Sequence, residues 1–104
     1  MITRQVRRYP VKLTVANLNG KPVTDTFLLD LSAMGARLES STPLALRYPV
    51  EISFLLTGAQ TETKLAGVVV WVRTLVASPR RYLMGVEFYK CYWDIDQSGR
   101  AGKI

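Results

Sequence analysis

Apolar and polar residues alternate with a period of two, and this limits what the chain can fold into more than any other feature. In YPVKLTVA, Val11, Leu13 and Val15 alternate with Lys12, Thr14 and Ala16. A helix would scatter those apolar side chains around its circumference, whereas a strand gathers them on one face. Asn19-Gly20 follows at once, a dipeptide suited to a tight hairpin turn because both residues tolerate positive φ. The chain is expected to return as a strand through PVTDTFLLDLS, with Val23, Phe27 and Leu29 facing the core.

Gly35 breaks the pattern, and ARLESS resumes it with Ala36, Leu38 and Ser40 on one face and Arg37 and Glu39 on the other. Pro43 and Pro49 punctuate the next connection. VEISFLLTG reads as a strand closed by Gly58. KLAGVVVWVRTLV reads as a long β-branched strand, whose apolar continuity implies burial on both faces or a strongly bent barrel strand. ASPRR is a turn and YLMGVEFYK the last clear strand. About six short strands, with no convincing helix before the tail, define an all-β domain. Closing into a barrel would remove the exposed edges of such a sheet. The tail YWDIDQSGRAGKI begins amphipathically but carries two glycines, so a short terminal helix or a frayed segment is expected there.

A chain of 104 residues forms one domain, without room for two independent cores. The expected division is an arm at residues 1–8, a barrel at 9–90 and a tail at 91–104. Histidine is absent, which removes the usual general base, the common nucleophile pairs and imidazole metal ligands. Cys91 is alone, so there is no internal disulfide, and a thiolate zinc site is implausible. No paired carboxylates and no phosphate-cradling glycine loop suggest catalysis, so the expectation is a protein that is not an enzyme and holds no cofactor or metal. The longest apolar run, AGVVVWV, is too short to span a bilayer, and MITRQVRRYP lacks the apolar core of a secretory signal. A cytoplasmic protein without membrane insertion is expected.

The net charge of +6 favours anionic partners without choosing among them. RQVRRYP concentrates Arg4, Arg7 and Arg8, and repulsion among them is relieved by an anion. A guanidinium fork matches phosphate oxygens in pairs and can grip the O6/N7 edge of guanine. The same cluster would also serve as a solvated terminal face. In DLSAMGARL, Asp30 and Ser32 could simply cap a turn, with Gly35 supplying positive φ. Alternatively, Asp30 could accept from the N1 and N2 donors of a guanine, Ser32 could add a hydroxyl contact, and Gly35 could let the ligand approach the backbone.

Taken in order, Arg4-x-x-x-Arg8 followed by Asp30-x-Ser32-x-x-Gly35 resembles the paired signature of the PilZ domain. RRYPVKL, GARLES, GVVVWVR and MGVEF agree, and the likeness spans roughly residues 4 to 90. The resemblance implies a six-stranded Greek-key β-barrel that binds the bacterial second messenger cyclic di-GMP. It implies that Arg4 and Arg8 bind phosphate and guanine from a flexible N-terminal segment, with Arg7 as a helper. Asp30, Ser32 and Gly35 would form the barrel half of the site, and Trp71 would be an aromatic near the ligand or a core tryptophan. Arg37 and Arg73 either border the site or belong to solvated strand faces, and Tyr9 is a packing residue.

A receptor of this kind carries its signal through a changed surface read by a downstream protein partner, and a homodimer is open. One competing reading is a basic barrel binding single-stranded nucleic acid through Tyr82, Phe88, Tyr89 and Trp93. It ranks lower because the basic residues cluster at one terminus, so no nucleic-acid partner is expected. Another is a PilZ-like module that binds only proteins.

Overall fold

The Asn19-Gly20 turn forms as its residue types demand, with φ of 53° and 76° and Leu18 opposite Lys21. It lies within a computed structural model that describes residues 6–56, 58–76 and 80–104. Strand β1 (Tyr9–Leu18) leads through this turn into β2 (Lys21–Pro22). Asp25 then adopts a φ of 56° and splits the expected return strand, so β3 begins at Thr26 and ends at Leu31. The remaining elements are β4 (Gly35–Ser40), β5 (Pro49–Phe54), β6 (Thr63–Leu75), β7 (Arg81–Phe88) and helix α1 (Trp93–Arg100).

Six antiparallel strands close into a barrel in the order β1-β3-β4-β7-β6-β5, with β5 returning to β1, and β2 is an extra strand on β1. The connection from Ser40 to Pro49 crosses from β4 to the far side of β1, which makes the topology a Greek key. The core is filled from every wall: Leu28 and Leu31, Leu38, Ile52 and Phe54, Val69 and Met84 are each 1 % exposed or less. On β1, Val15 is buried while Val11 and Leu13 pack against the core, and Lys12 and Thr14 are exposed, as the alternation requires.

Strand β3 departs from its expected facing. Phe27 and Leu29 are only half-buried, and Leu28 and Leu31 fill the core instead. Phe27 lies beneath the Lys12 ammonium at 5.5 Å and the Arg81 guanidinium at 5.8 Å. Thr26 and Leu28 take the inner face, which turns Phe27 and Leu29 outward, and a β-bulge then brings Leu31 inside: Leu28 pairs with Leu38, but the next pair is Asp30 with Arg37, so Leu29 is left over. A second bulge on β6 skips Val70, between the pairs Val69–Val86 and Trp71–Gly85. The long apolar strand is therefore a bent barrel strand.

The tail folds as α1, with Asp94 and Asp96 in its first turn and Arg100 in its last, which complements the helix dipole. Ile95 enters the core. The Tyr9 ring lies flat on Gly99, where an added Cβ would sit 2.3 Å from the ring. Tyr9 is thus a packing residue, and Gly99 is required for its seat.

Candidate functional site

The two bulges set the site. Leu28 points inward, so a regular strand would turn Asp30 inward as well. The extra residue reverses the parity, and Asp30 emerges on the outer face beside Arg37. Val69 also points inward, and the bulge at Val70 likewise turns Trp71 outward instead of into the core. Cross-strand pairing then aligns Asp30, Arg37, Gly85 and Trp71 in one row across β3, β4, β7 and β6. Gly85 leaves room in that row: an added Cβ would fall 2.0 Å from the Trp71 indole nitrogen, so the indole lies directly against the backbone.

A cleft of about 820 Å³ opens over this row, bordered by Val6 and Arg8 from the arm and by Glu87 at its far side. Arg8 Nη1 donates to Asp30 Oδ1 at 2.8 Å, and Arg37 Nε stands 3.5 Å from Asp30 Oδ2 without a hydrogen bond. The Arg73 guanidinium lies 5.6 Å from the Trp71 ring centre and shields one side of the indole.

Ser32 and Gly35 shape the rim. The Ser32 hydroxyl accepts from the backbone N–H groups of Met34 and Gly35 at 3.2 and 3.1 Å and donates to the Gly35 carbonyl at 3.2 Å. In this state the hydroxyl therefore serves its own turn. Gly35 corrects one expectation, since it has no positive φ and begins a regular strand. Its requirement is steric, because an added Cβ would lie 2.6 Å from the Val86 carbonyl oxygen on β7.

Of the residues expected from sequence, the fold brings Arg8, Asp30, Ser32, Gly35 and Trp71 together around the cleft. Arg4 lies outside the described residues. Arg7 is exposed and does not line the cleft; its charge bears instead on the Tyr9 phenol. The sequence left Arg37 open between the border of the site and a solvated strand face, and gave no sign of Gly85, Val6 and Glu87. The alternation placed Arg37 on the outer face, but only the pairing register shows that this face holds Asp30.

Directly beside Arg8, Tyr9 turns the other way. Its hydroxyl meets the Asp96 carboxylate at 3.0 Å, and Arg100 Nε donates to the same carboxylate at 2.7 Å. Desolvation first, and the Asp96 carboxylate second, push the Tyr9 phenol above its ordinary value. The hydrogen bond to Asp96 raises Arg100 in turn.

A closed antiparallel barrel with a cationic arm folded against a carboxylate at the edge of an open cleft is the architecture of a small ligand-binding module. The PilZ domain family model matches residues 2–91, and the chain belongs to that family. Searches of curated proteins and of solved structures each returned no match. The family is one of cyclic di-GMP receptor domains, which are binding modules rather than enzymes. Among the described residues no helix is long and apolar enough to cross a membrane.

Proposed function

We propose that this protein is a cyclic di-GMP receptor whose surface changes on binding and is read by a protein partner. The observation that carries this reading is the 2.8 Å contact of Arg8 with Asp30, which joins the arm and barrel halves of the paired motif at one cleft. The cleft offers a guanidinium for phosphate, a carboxylate for the donor edge of guanine, and an indole for the face of a base.

Binding works as an exchange of partners. Arg8 neutralises Asp30 in the free protein, so the arm already rests at the rim at residues 6–8. A bisphosphate ligand recruits Arg8 and returns the Asp30 lone pairs to the N1 and N2 donors of guanine. Each charge-assisted contact contributes roughly 1.5–3 kcal/mol, so a few suffice for micromolar or tighter affinity after the Arg8–Asp30 contact is lost. Because Tyr9 follows Arg8 and is tied to α1 through Asp96, movement of the arm is felt at the helix, where a partner protein can read it. A cytoplasmic site of action belongs to the same proposal.

Isothermal titration with cyclic di-GMP tests the reading, with GTP and cyclic di-AMP as controls. Saturable binding at micromolar or lower ligand, with both controls much weaker, is expected. Absence of binding heat together with an unchanged melting temperature would overturn it.

A further inference from the structure

Beside the cleft Arg37 holds a buried donor, Nε, that faces Asp30 as an ion pair at 3.5 Å but makes no hydrogen bond. That nitrogen is shielded from water, although the side chain as a whole remains 42 % exposed. Such an atom carries a desolvation cost that a bound acceptor would relieve. Its place is fixed, because β4 holds Arg37 between Asp30 on β3 and Gly85 on β7. Unlike Arg8, this arginine stands on the barrel wall and has no arm to carry it away.

Resting on the receptor reading above, we propose that Arg37 is a specificity-determining residue which donates to guanine O6 while Asp30 accepts from N1–H. Side by side at 3.5 Å, a guanidinium donor and a carboxylate acceptor address neighbouring atoms of one base edge. Guanine presents there an acceptor at O6 followed by donors at N1 and N2. Adenine presents a donor at N6 followed by an acceptor at N1, so both contacts would meet a group of the same kind. The pair therefore recognises guanine and rejects adenine at two neighbouring atoms, more strongly than Asp30 does alone. Trp71 and Gly85, next in the same row, leave a flat surface against which the base can lie.

The decisive variant is Arg37→Lys, which keeps the charge but loses the planar fork. Arg37→Ala accompanies it, and melting temperatures check that both are folded. Titration of wild type and both variants with cyclic di-GMP, and with cyclic di-AMP by competition, is the measurement. Both variants are expected to lose about tenfold or more in affinity for cyclic di-GMP and to bind cyclic di-AMP no more weakly than wild type. Retention of wild-type cyclic di-GMP affinity by Arg37→Lys would reduce the residue to a point charge and sink the proposal. Equal weakening of both ligands would sink it too. If wild type itself ignores cyclic di-GMP, the receptor reading fails. If wild type binds and the preference for guanine survives both substitutions, only the role of Arg37 fails.

Discussion

Asp30 and Asp96 are nearly equal in burial, 8 % and 6 % exposed, and each is hydrogen-bonded to an arginine. Their surroundings differ. The Asp96 carboxylate is held by Arg100 one helical turn away and by the Tyr9 hydroxyl, whose ring is seated on Gly99. The hydrogen-bonded partner of Asp30 comes from an arginine 22 residues away whose side chain is 63 % exposed, and Arg37 stands by without a hydrogen bond. Open space adjoins Asp30 on the cleft side. Burial of a carboxylate therefore does not mark a binding site. On the receptor reading proposed above, the marks are an exposed partner and open space beside the carboxylate.

The largest effect expected from this contrast is on affinity. Arg8→Ala should weaken cyclic di-GMP about a hundredfold, roughly 2.7 kcal/mol, because a charge-assisted contact is lost. Its melting temperature should scarcely move, since an ion pair with one exposed member contributes little to stability. Calorimetry and thermal denaturation on the same preparation check both halves. A large drop in melting temperature with intact affinity would make Asp30 an anchor like Asp96 and erase the distinction.

Asp96→Ala should do the reverse. Losing a buried acceptor from Tyr9 and Arg100 is expected to cost about 2 kcal/mol of stability, read from urea denaturation. Cyclic di-GMP affinity should stay within about threefold of wild type. A hundredfold loss of affinity would instead show that the helix anchor is part of the site.

The same contrast explains what could be read from the sequence. Val11, Leu13 and Val15 declared their face because polar residues separate them, and Asn19-Gly20 declared its turn. Arg37 and Glu39 were placed outward for the same reason. Phe27 and Leu29 were misplaced because FLLDL is apolar at consecutive positions, and such a run hides both its facing and its bulge. VVVW conceals the bulge at Val70 in the same way, leaving Trp71 undecided between core and cleft until the register is known. Arg8 and Asp30 were legible as two ends of one motif, whereas Arg37 acquires meaning only from its neighbour across the sheet. Gly35 was recognised as special but for the wrong cause, and Gly99 was read only as one of two glycines that could fray the tail, because close approach by another strand or by a ring leaves no local signal.

Gly99 supplies a smaller test of the anchor. In Gly99→Ala the new methyl meets the Tyr9 ring, and overpacking of this kind costs about 1–2 kcal/mol. Urea denaturation should show that loss while Arg8 still reaches Asp30 and cyclic di-GMP affinity holds. If Gly99→Ala is neutral or stabilising, the better helix propensity outweighs the contact and Tyr9 is not firmly seated.

The smallest effect concerns pH. The Tyr9 phenol lies above its ordinary value of 10.0 in the folded protein, so folding favours its protonated form. The stability it contributes is fully present below pH 10 and is lost as pH rises through the folded value. Tyr9→Phe keeps the ring on Gly99 and removes the ionisation. The stability difference between wild type and variant should therefore be constant from neutral pH to about pH 9 and shrink above pH 10, as urea midpoints at successive pH values would show. Comparing the two proteins cancels the alkaline titration of lysines and other tyrosines common to both. A difference that stays constant through pH 11 would mean that the hydroxyl is not bound to a carboxylate, and Asp96 would then be no more firmly held than Asp30.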